Sequence, residues 1–433
     1  MKNYKLLVPI VLVVLFLGSI YMLSDIKKTE QNKYDQILFT ARDYREKDIQ
    51  IDAEEYYMQA ASLRPTVELY VEIGQFYWET EQVKNAMDWG AGITKTFPKE
   101  PLGYEFLMDI YNQQEDYIAC FRLAETFRKR QLKSEKVDAI LSALEYEYYF
   151  NGEFHGVAAY SEGLCPIQID GKWGYADDVG DRIISATYQY AGPFSEGMAP
   201  ITDREGNCYF IDYSGNKKHV VLGVSDIKQL GPMESGLFSL YDGQKWHFYN
   251  TDHQKVFGDY DAVSAMANGI AAVKTGSSWQ LVNHAGEDLS GSTYAAVAAD
   301  EKGVVYRDER LFVSDGTSWR MIDYSGNIIG NDTYEDVRVF ADTTYAAVKK
   351  NGKWGFVDKT GAEVIAPQFE DARSFVNGMA AVQKDGLWGY INPEGNIVID
   401  AQFENALDFN SAGGAFVFME GEWNLLRLYK YNY

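Results

Sequence analysis

The chain has 433 residues, room for two or three domains, and 46% of them are hydrophobic, which excludes a disordered polymer. Its 63 acidic residues against 40 basic ones give a net charge of −23 at pH 7. Nucleic-acid binding needs concentrated Lys and Arg, so that class of partner is excluded as well.

The first element is apolar. Leu6 to Leu23 (LLVPIVLVVLFLGSIYML) is 18 residues without a charge, flanked by Lys2 and Lys5 before it and Lys27 and Lys28 after it. That length meets the requirement for a spanning helix. The segment ends in Ile20-Tyr21-Met22-Leu23, which offers no small-residue cleavage site, and no cysteine lies nearby for lipid attachment. An uncleaved transmembrane helix is predicted, with residues 1–33 as anchor and linker. Lysines on both flanks nearly balance the positive-inside count. The very short amino-terminal tail favours a cytoplasmic start, which would place the bulk of the chain outside the cytoplasm.

Residues 34–150 read as helical, with apolar residues at steps of three and four and prolines at Pro65 and Pro98. Columns of like residues recur 33 or 34 apart: Ala41, Gly74 and Met108; Tyr44, Tyr77 and Tyr111; Ala53, Ala86 and Cys120. Ala60 and Ile93 each stand five residues before a proline. A small residue lets two helices approach, an aromatic fills the groove, and proline ends the second helix. Over Tyr34 to about Ser134 the pattern resembles the tetratricopeptide repeat. It departs from it at Gly90, where a large residue is usual, and in the third unit, where Leu132 takes the proline column. A further helix is predicted from Glu135 to about Tyr148. Such an array implies either a support for the carboxy-terminal region or a short peptide-binding groove.

Residues 151–433 change period. Glycines come every few residues and apolar positions alternate, the pattern of β-strands. One sentence repeats, most clearly as FVNGMAAVQKDGLWGYINPEGNIVIDAQFENA from Phe375 to Ala406. Its aromatic anchors are Trp173, Tyr209, Trp246, Trp279, Trp319, Trp354, Trp388 and Trp423, at gaps of 36, 37, 33, 40, 35, 34 and 35. The gap of 40 suggests an insertion around Asp308 to Val313. Each unit offers three short strands, such as Met379–Gln383, Trp388–Ile391 and Ile397–Phe403. Asn351-Gly352 and Asp385-Gly386 predict two-residue hairpin turns, which need positive φ at both positions. Asp or Asn followed three residues later by Gly, as in Asp212/Gly215, Asn283/Gly286, Asp323/Gly326, Asp358/Gly361 and Asn392/Gly395, predicts turns capped by their own side chain.

These motifs resemble the WG-repeat family of bacterial proteins over Phe154 to about Tyr433. The Trp-Gly pair stands at Trp173-Gly174, Trp354-Gly355 and Trp388-Gly389. It has decayed at Trp246-His247, Trp279-Gln280, Trp319-Arg320 and Trp423-Asn424. The resemblance implies a repeated β-scaffold with a binding role and no established chemistry. The array starts and stops in mid-repeat: FHGVAAYSEG from Phe154 matches FEDARSFVNG from Phe369, and the last unit ends soon after Trp423. Strands from the two ends can therefore complete one unit. The fold class expected is α+β multidomain: a transmembrane helix, tetratricopeptide-like helices, then a closed propeller-like ring of about eight units. An open β-solenoid is the alternative.

Chemistry is sparse. The histidines His155, His219, His247, His253 and His284 share no metal spacing, and no nucleophile or phosphate-loop motif occurs. Cys120, Cys165 and Cys208 are odd in number and widely spaced; they read as buried thiols, with one Cys165–Cys208 bridge as the alternative. Asp177-Asp178 and the repeated aspartates read as turn residues rather than calcium ligands, because the alternating carboxylates and closing Glu of a calcium loop are absent. The anchor tryptophans read as structure before sugar-stacking platforms. The expectation is no enzyme, no cofactor and no metal. It is a membrane-anchored scaffold of the bacterial cell envelope with an unidentified protein partner. A cell-wall or carbohydrate-binding module is the alternative.

Overall fold

The computed structural model describes residues 27–221, 223–224, 227–342 and 344–432. The apolar segment Leu6–Leu23 lies outside the described residues; among those described, no helix is long and apolar enough to cross a membrane. The chain divides between Glu145 and Tyr146 into a helical unit and a β unit.

The helical unit is three helix pairs and a final helix. They are α1 (helical over 27–46), α2 (Gln50–Leu63), α3 (Val67–Glu79), α4 (Val83–Thr96), α5 (Pro101–Gln113), α6 (Tyr117–Lys129) and α7 (Glu135–Ala143). Side-chain caps start three of them: Thr66 accepts from Leu69 N at 3.3 Å, Asp116 from Ala119 N at 3.0 Å and Ser134 from Val137 N at 3.3 Å. Pro101 opens α5, where its missing N–H costs nothing. The small-residue columns form the core: Ala41, Met108, Ala53, Ala86, Cys120, Ala60 and Ile93 have no exposed surface.

The glycines explain how close the helices come. A Cβ on Gly74 would stand 2.4 Å from the Phe106 ring of α5, and one on Gly103 would stand 2.5 Å from Ile93 of α4. At Gly90, where the repeat pattern departs from a large residue, Leu107 of α5 fills the space, 2.9 Å from a built Cβ. The last helix stops at Ala143, short of the expected Tyr148, because the first β-strand already begins there.

The β unit is an eight-bladed propeller, a closed ring rather than an open solenoid. Seven of its sheets have four strands and one has three. Blades 1 to 7 follow in chain order over 156–188, 190–219, 229–260, 262–294, 296–334, 336–369 and 371–403. Blade 7 is typical: an innermost strand Asp371–Ala372, then Ala380–Lys384, Leu387–Ile391 and an outermost Ile397–Phe403, each antiparallel to the next. The innermost strand is the element the sequence does not show, since two residues carry no periodicity.

Blade 8 closes the ring. It takes Asn405–Ala406, Gly414–Met419 and Glu422–Leu428 from the carboxy-terminal end, and its outermost strand, Tyr148–Phe154, from the start of the unit. The split repeat in the sequence is this shared blade. Closure is sealed by packing of Phe154, Cys165, Phe416 and Leu425 across blades 8 and 1, and by Asn410 Nδ2 donating to Asp178 O at 2.9 Å.

Turn chemistry is as the sequence dictates. Asn351 and Gly352 have φ of 52° and 74°, and Asp385 and Gly386 have 54° and 80°. Asp212 Oδ1 accepts from Ser214 N at 3.0 Å and Asn216 N at 2.9 Å, and Asp358 Oδ1 from Thr360 N at 2.8 Å and Ala362 N at 3.1 Å. Asp177 does the same for Val179 and Asp181. The cysteines are all free and buried, so the Cys165–Cys208 bridge does not form. Cys165 instead lies in the blade 8–blade 1 core, and Cys208 packs in a separate core with Phe210 and Leu230.

Candidate functional site: the repeat anchors and the central cavity

Every anchor aromatic lies at or next to the start of the third strand of its blade. Seven of them stand opposite an aromatic of the outermost strand: Trp173 and Tyr188, Trp246 and Tyr260, Trp279 and Tyr294, Trp319 and Tyr334, Trp354 and Phe369, Trp388 and Phe403, Trp423 and Phe154. Such cross-strand pairs are a unit of sheet stabilisation. Tyr209 shows no such partner among the described residues and carries the Lys217 ammonium 3.9 Å from its ring centre. Only Trp354 is fully buried, at 2% exposure; the other anchors are half-buried. The deepest residues are those two further on, Tyr175, Phe248, Phe356 and Tyr390, with none of their surface exposed.

The glycine after the tryptophan has its own reason. The outermost strand is irregular opposite it, with register shifts at Trp173/Tyr175, Trp354/Phe356 and Trp388/Tyr390. A Cβ on Gly174, Gly355 or Gly389 would meet the carbonyl oxygen of Ile184, Ile365 or Ile399 at 2.4, 2.6 or 2.5 Å. The strand passes so near that only hydrogen fits. In three blades where the pair has decayed, the outermost strand carries a glycine instead. In blade 3 His247 faces Gly258, whose added Cβ would lie 2.6 Å from His247 Nδ1. In blades 5 and 8 the outermost strands carry Gly330 (φ 76°) and Gly152 (φ 79°). Blade 4, around Trp279-Gln280, has no continuous outermost strand, only bridges at Tyr294 and Asp288.

A cavity of about 530 Å³ lies at the centre of the ring, lined by blades 1, 5, 6, 7 and 8. The residue that succeeds the innermost strand reaches its wall in blades 1, 6, 7 and 8, as Ala158, Arg338, Arg373 and Leu407. In blade 1 that residue is small, and in blades 6 and 7 it is an arginine. The insertion behind the 40-residue gap lies earlier than Asp308 to Val313, which form the ordinary turn and the start of the second strand. The extra residues are at Asp300–Val304, where Asp300 Oδ1 caps a turn by accepting from Lys302 N at 2.9 Å and Val304 N at 2.8 Å. They bring Asp300, Glu301 and Lys302 to the cavity wall.

Inside, Arg373 holds two carboxylates, Asp408 through Nε at 2.6 Å and Glu301 through Nη2. Burial opposes the charge on Arg373, but Asp408 and Glu301 outweigh it and hold its guanidinium above its ordinary value. Burial pushes the Asp408 carboxyl up despite Arg373. Burial also opposes ionisation of Glu301, but Arg373 prevails and keeps it below the usual range. Burial lowers the Lys302 ammonium, against the pull of Asp300. The sequence did not single out these residues; the one signal was the long repeat gap.

The helical unit presents paired charges between its helices: Arg42 with Glu72 at 2.6 Å, Arg45 with Glu79 at 2.5 Å, and Lys136 with Asp109. Tyr70 stacks on Trp89 at 5.1 Å beside a groove that Tyr77 and Asp88 also line. His219 stacks on His253 at 5.0 Å, and among the described residues no group of three His, Cys, Asp or Glu could hold a metal.

The Trp-to-Trp spacing decides the comparison with known families. Five stretches match the WG containing repeat. They are residues 150–173, 173–204, 319–354, 354–388 and 388–423. The WG matches leave out 205–318, which holds blade 3, where the glycine has changed strands, and blade 4, whose outermost strand is broken. The 388–423 match runs into blade 8, so the WG unit as defined on sequence straddles two blades. No curated protein matches the chain.

Solved structures with a similar fold include Kluyveromyces lactis Hsv2 with loop 6CD replaced by a Gly-Ser linker, 11% identical, covering 57% of this chain and 93% of that one at a TM-score of 0.38. PorZ of Porphyromonas gingivalis, a bacterial surface component of the type-IX secretion system, is 10% identical over 63% of this chain and 42% of its own, at 0.35. The Pan2 WD40 domain of Neurospora crassa is 8% identical over 56% and 89%, at 0.32.

Proposed function

We propose that this chain is a non-catalytic interaction scaffold, tethered to a bacterial cell membrane by Leu6–Leu23, with its helical repeats and propeller on the extracytoplasmic side. One observation carries the reading: the repeated residues are engaged in building the fold. The tryptophans face aromatics of their own blades, and the aspartates cap their own turns. What the two repeat units then offer is surface, and repeat folds use surface to bind partners. The glycan-binding alternative is not favoured, because seven anchors stand in register with aromatics of the outermost strands as parts of the sheet.

The test is proximity crosslinking of the full chain in intact cells, combined with protease access to the propeller from outside. The reading expects a defined partner that is lost when the propeller is removed, and digestion of the propeller without lysis. Protection of the propeller until lysis would overturn the orientation. A crosslinking profile identical with and without the propeller would overturn the scaffold.

A further inference from the structure

The cavity wall contains two cations whose hydrogen-bonding capacity is not used. Lys302 Nζ reaches across the ring to donate to the Tyr160 carbonyl at 3.4 Å, the ammonium's one hydrogen bond among the described residues. An ammonium has three donors, so two remain. Arg307 reaches Asp300 through Nη2 at 3.3 Å, while its buried Nε has no partner. Burying charged donors unpaired is costly, and a ligand that accepts from them recovers that cost. Both groups line the same cavity, and the repeat-breaking insertion exists only in this blade.

The neighbouring charges narrow the ligand further. Glu301 and Asp408 are bound by Arg373, and Asp300 is bound by Arg307. Of the four cations on the wall, Arg307, Arg338 and Arg373 each hold a carboxylate and Lys302 holds none, while Glu162 and Asp178 also line the cavity, so an anion there is limited to a single charge held at Lys302. A dianion such as phosphate would face five wall carboxylates, Glu162, Asp178, Asp300, Glu301 and Asp408. The wall also carries apolar side chains, Val157, Val339, Leu407 and Phe416, beside polar ones such as Ser374, Asn377 and Asn410. A cavity of about 530 Å³ falls in the range of small-molecule sites.

We infer that the central cavity binds a small monocarboxylate with an apolar body, its carboxylate held by Lys302 and Arg307. This goes beyond the scaffold reading and does not depend on it, since a ligand in the ring could serve a protein with or without partners.

The test is calorimetric titration of the full chain in detergent with hexanoate, at constant ionic strength, beside hexanamide, hexylamine and inorganic phosphate. Hexanoate is expected to bind, and hexanamide at least tenfold more weakly. Lys302→Met should weaken hexanoate at least tenfold, Lys302→Arg should retain it, and Lys172→Met, an exposed change on blade 1, should leave it unchanged. If Lys302→Met does not fold by circular dichroism, Arg307→Gln serves the same purpose. Equal binding of hexanoate and hexanamide, preference for hexylamine or phosphate, absence of hexanoate binding, or full hexanoate affinity in a folded Lys302→Met or Arg307→Gln chain would each overturn the inference.

Discussion

The helical unit and the propeller both repeat a small residue with a period in the thirties, and they do so for different physical reasons. In the helical unit the space beside Gly74 or Gly103 is occupied by a side chain, the Phe106 ring or the Ile93 methyl. In the propeller the space beside Gly174, Gly355 and Gly389 is occupied by the backbone of the outermost strand. A side chain can change rotamer or be replaced by a smaller one. A hydrogen-bonded strand cannot move without giving up its ladder. The helical column accordingly holds Ala, Gly and Met, whereas six of the eight blades have a glycine on the third or the outermost strand.

The largest expected effect is that of Gly389→Ala. Its Cβ would stand 2.5 Å from Ile399 O and 2.7 Å from Ala401 N. A loss of about 3 kcal/mol is expected from overpacking against backbone, read as faster hydrogen exchange in the strands of blade 7. Trimming side chains nearby should recover none of it; recovery would show that the obstacle is not the strand. Gly258→Ala comes next, at about 2 kcal/mol. In a double-mutant cycle with His247→Gly the two losses should sum to more than the double variant shows. Recovery should be partial, because His247 Cα would still lie 2.8 Å from the new Cβ. Strict additivity would mean the glycine has not exchanged strands for the reason given.

Gly74→Ala should cost about 1 kcal/mol net, the clash with Phe106 being offset in part by the better helix propensity of Ala. Phe106→Leu in the same chain should recover most of the clash, measured by urea melting of the helical signal. Failure to recover would erase the contrast between the two units.

The smallest effect concerns the turns. The Thr317 hydroxyl, with the Ser318 and Thr317 amides, lowers the Asp315 carboxyl from 3.8 to about 2. A carboxylate whose folded pKa is depressed adds stability that is present above its unfolded value and lost as pH falls through the folded one. The propeller should therefore lose stability between about pH 4 and pH 2 through this and similar turns. Asp315→Asn should make the dependence shallower without altering the melting temperature at pH 2. An unchanged slope would remove Asp315 from the account.

Much of this was legible because it is local. Asp358 caps its turn with an atom two and four residues from the amides it accepts, and Asn351-Gly352 sets its hairpin through two φ angles. Closure was legible too, since the half-unit at Phe154 and the half-unit after Trp423 complete each other. The innermost strands were not, because two residues between turns have no pattern to read. The bridging of Cys165 and Cys208, open on sequence, is settled by their separate cores.

The sequence by itself determined the repeat, its turns and its closure, because period, glycine placement and side-chain caps act over a few residues. Tertiary structure decided two things. It showed why glycine comes after tryptophan, since the strand that forbids a side chain at Gly389 arrives from Ile399, ten residues on and across a turn. It also assembled Lys302, Arg307, Arg373 and Asp408 around one cavity with Tyr160, which stands 142 residues before Lys302. Only ring closure brings such residues together, because a side chain on one blade meets another across the centre once all eight blades are in place.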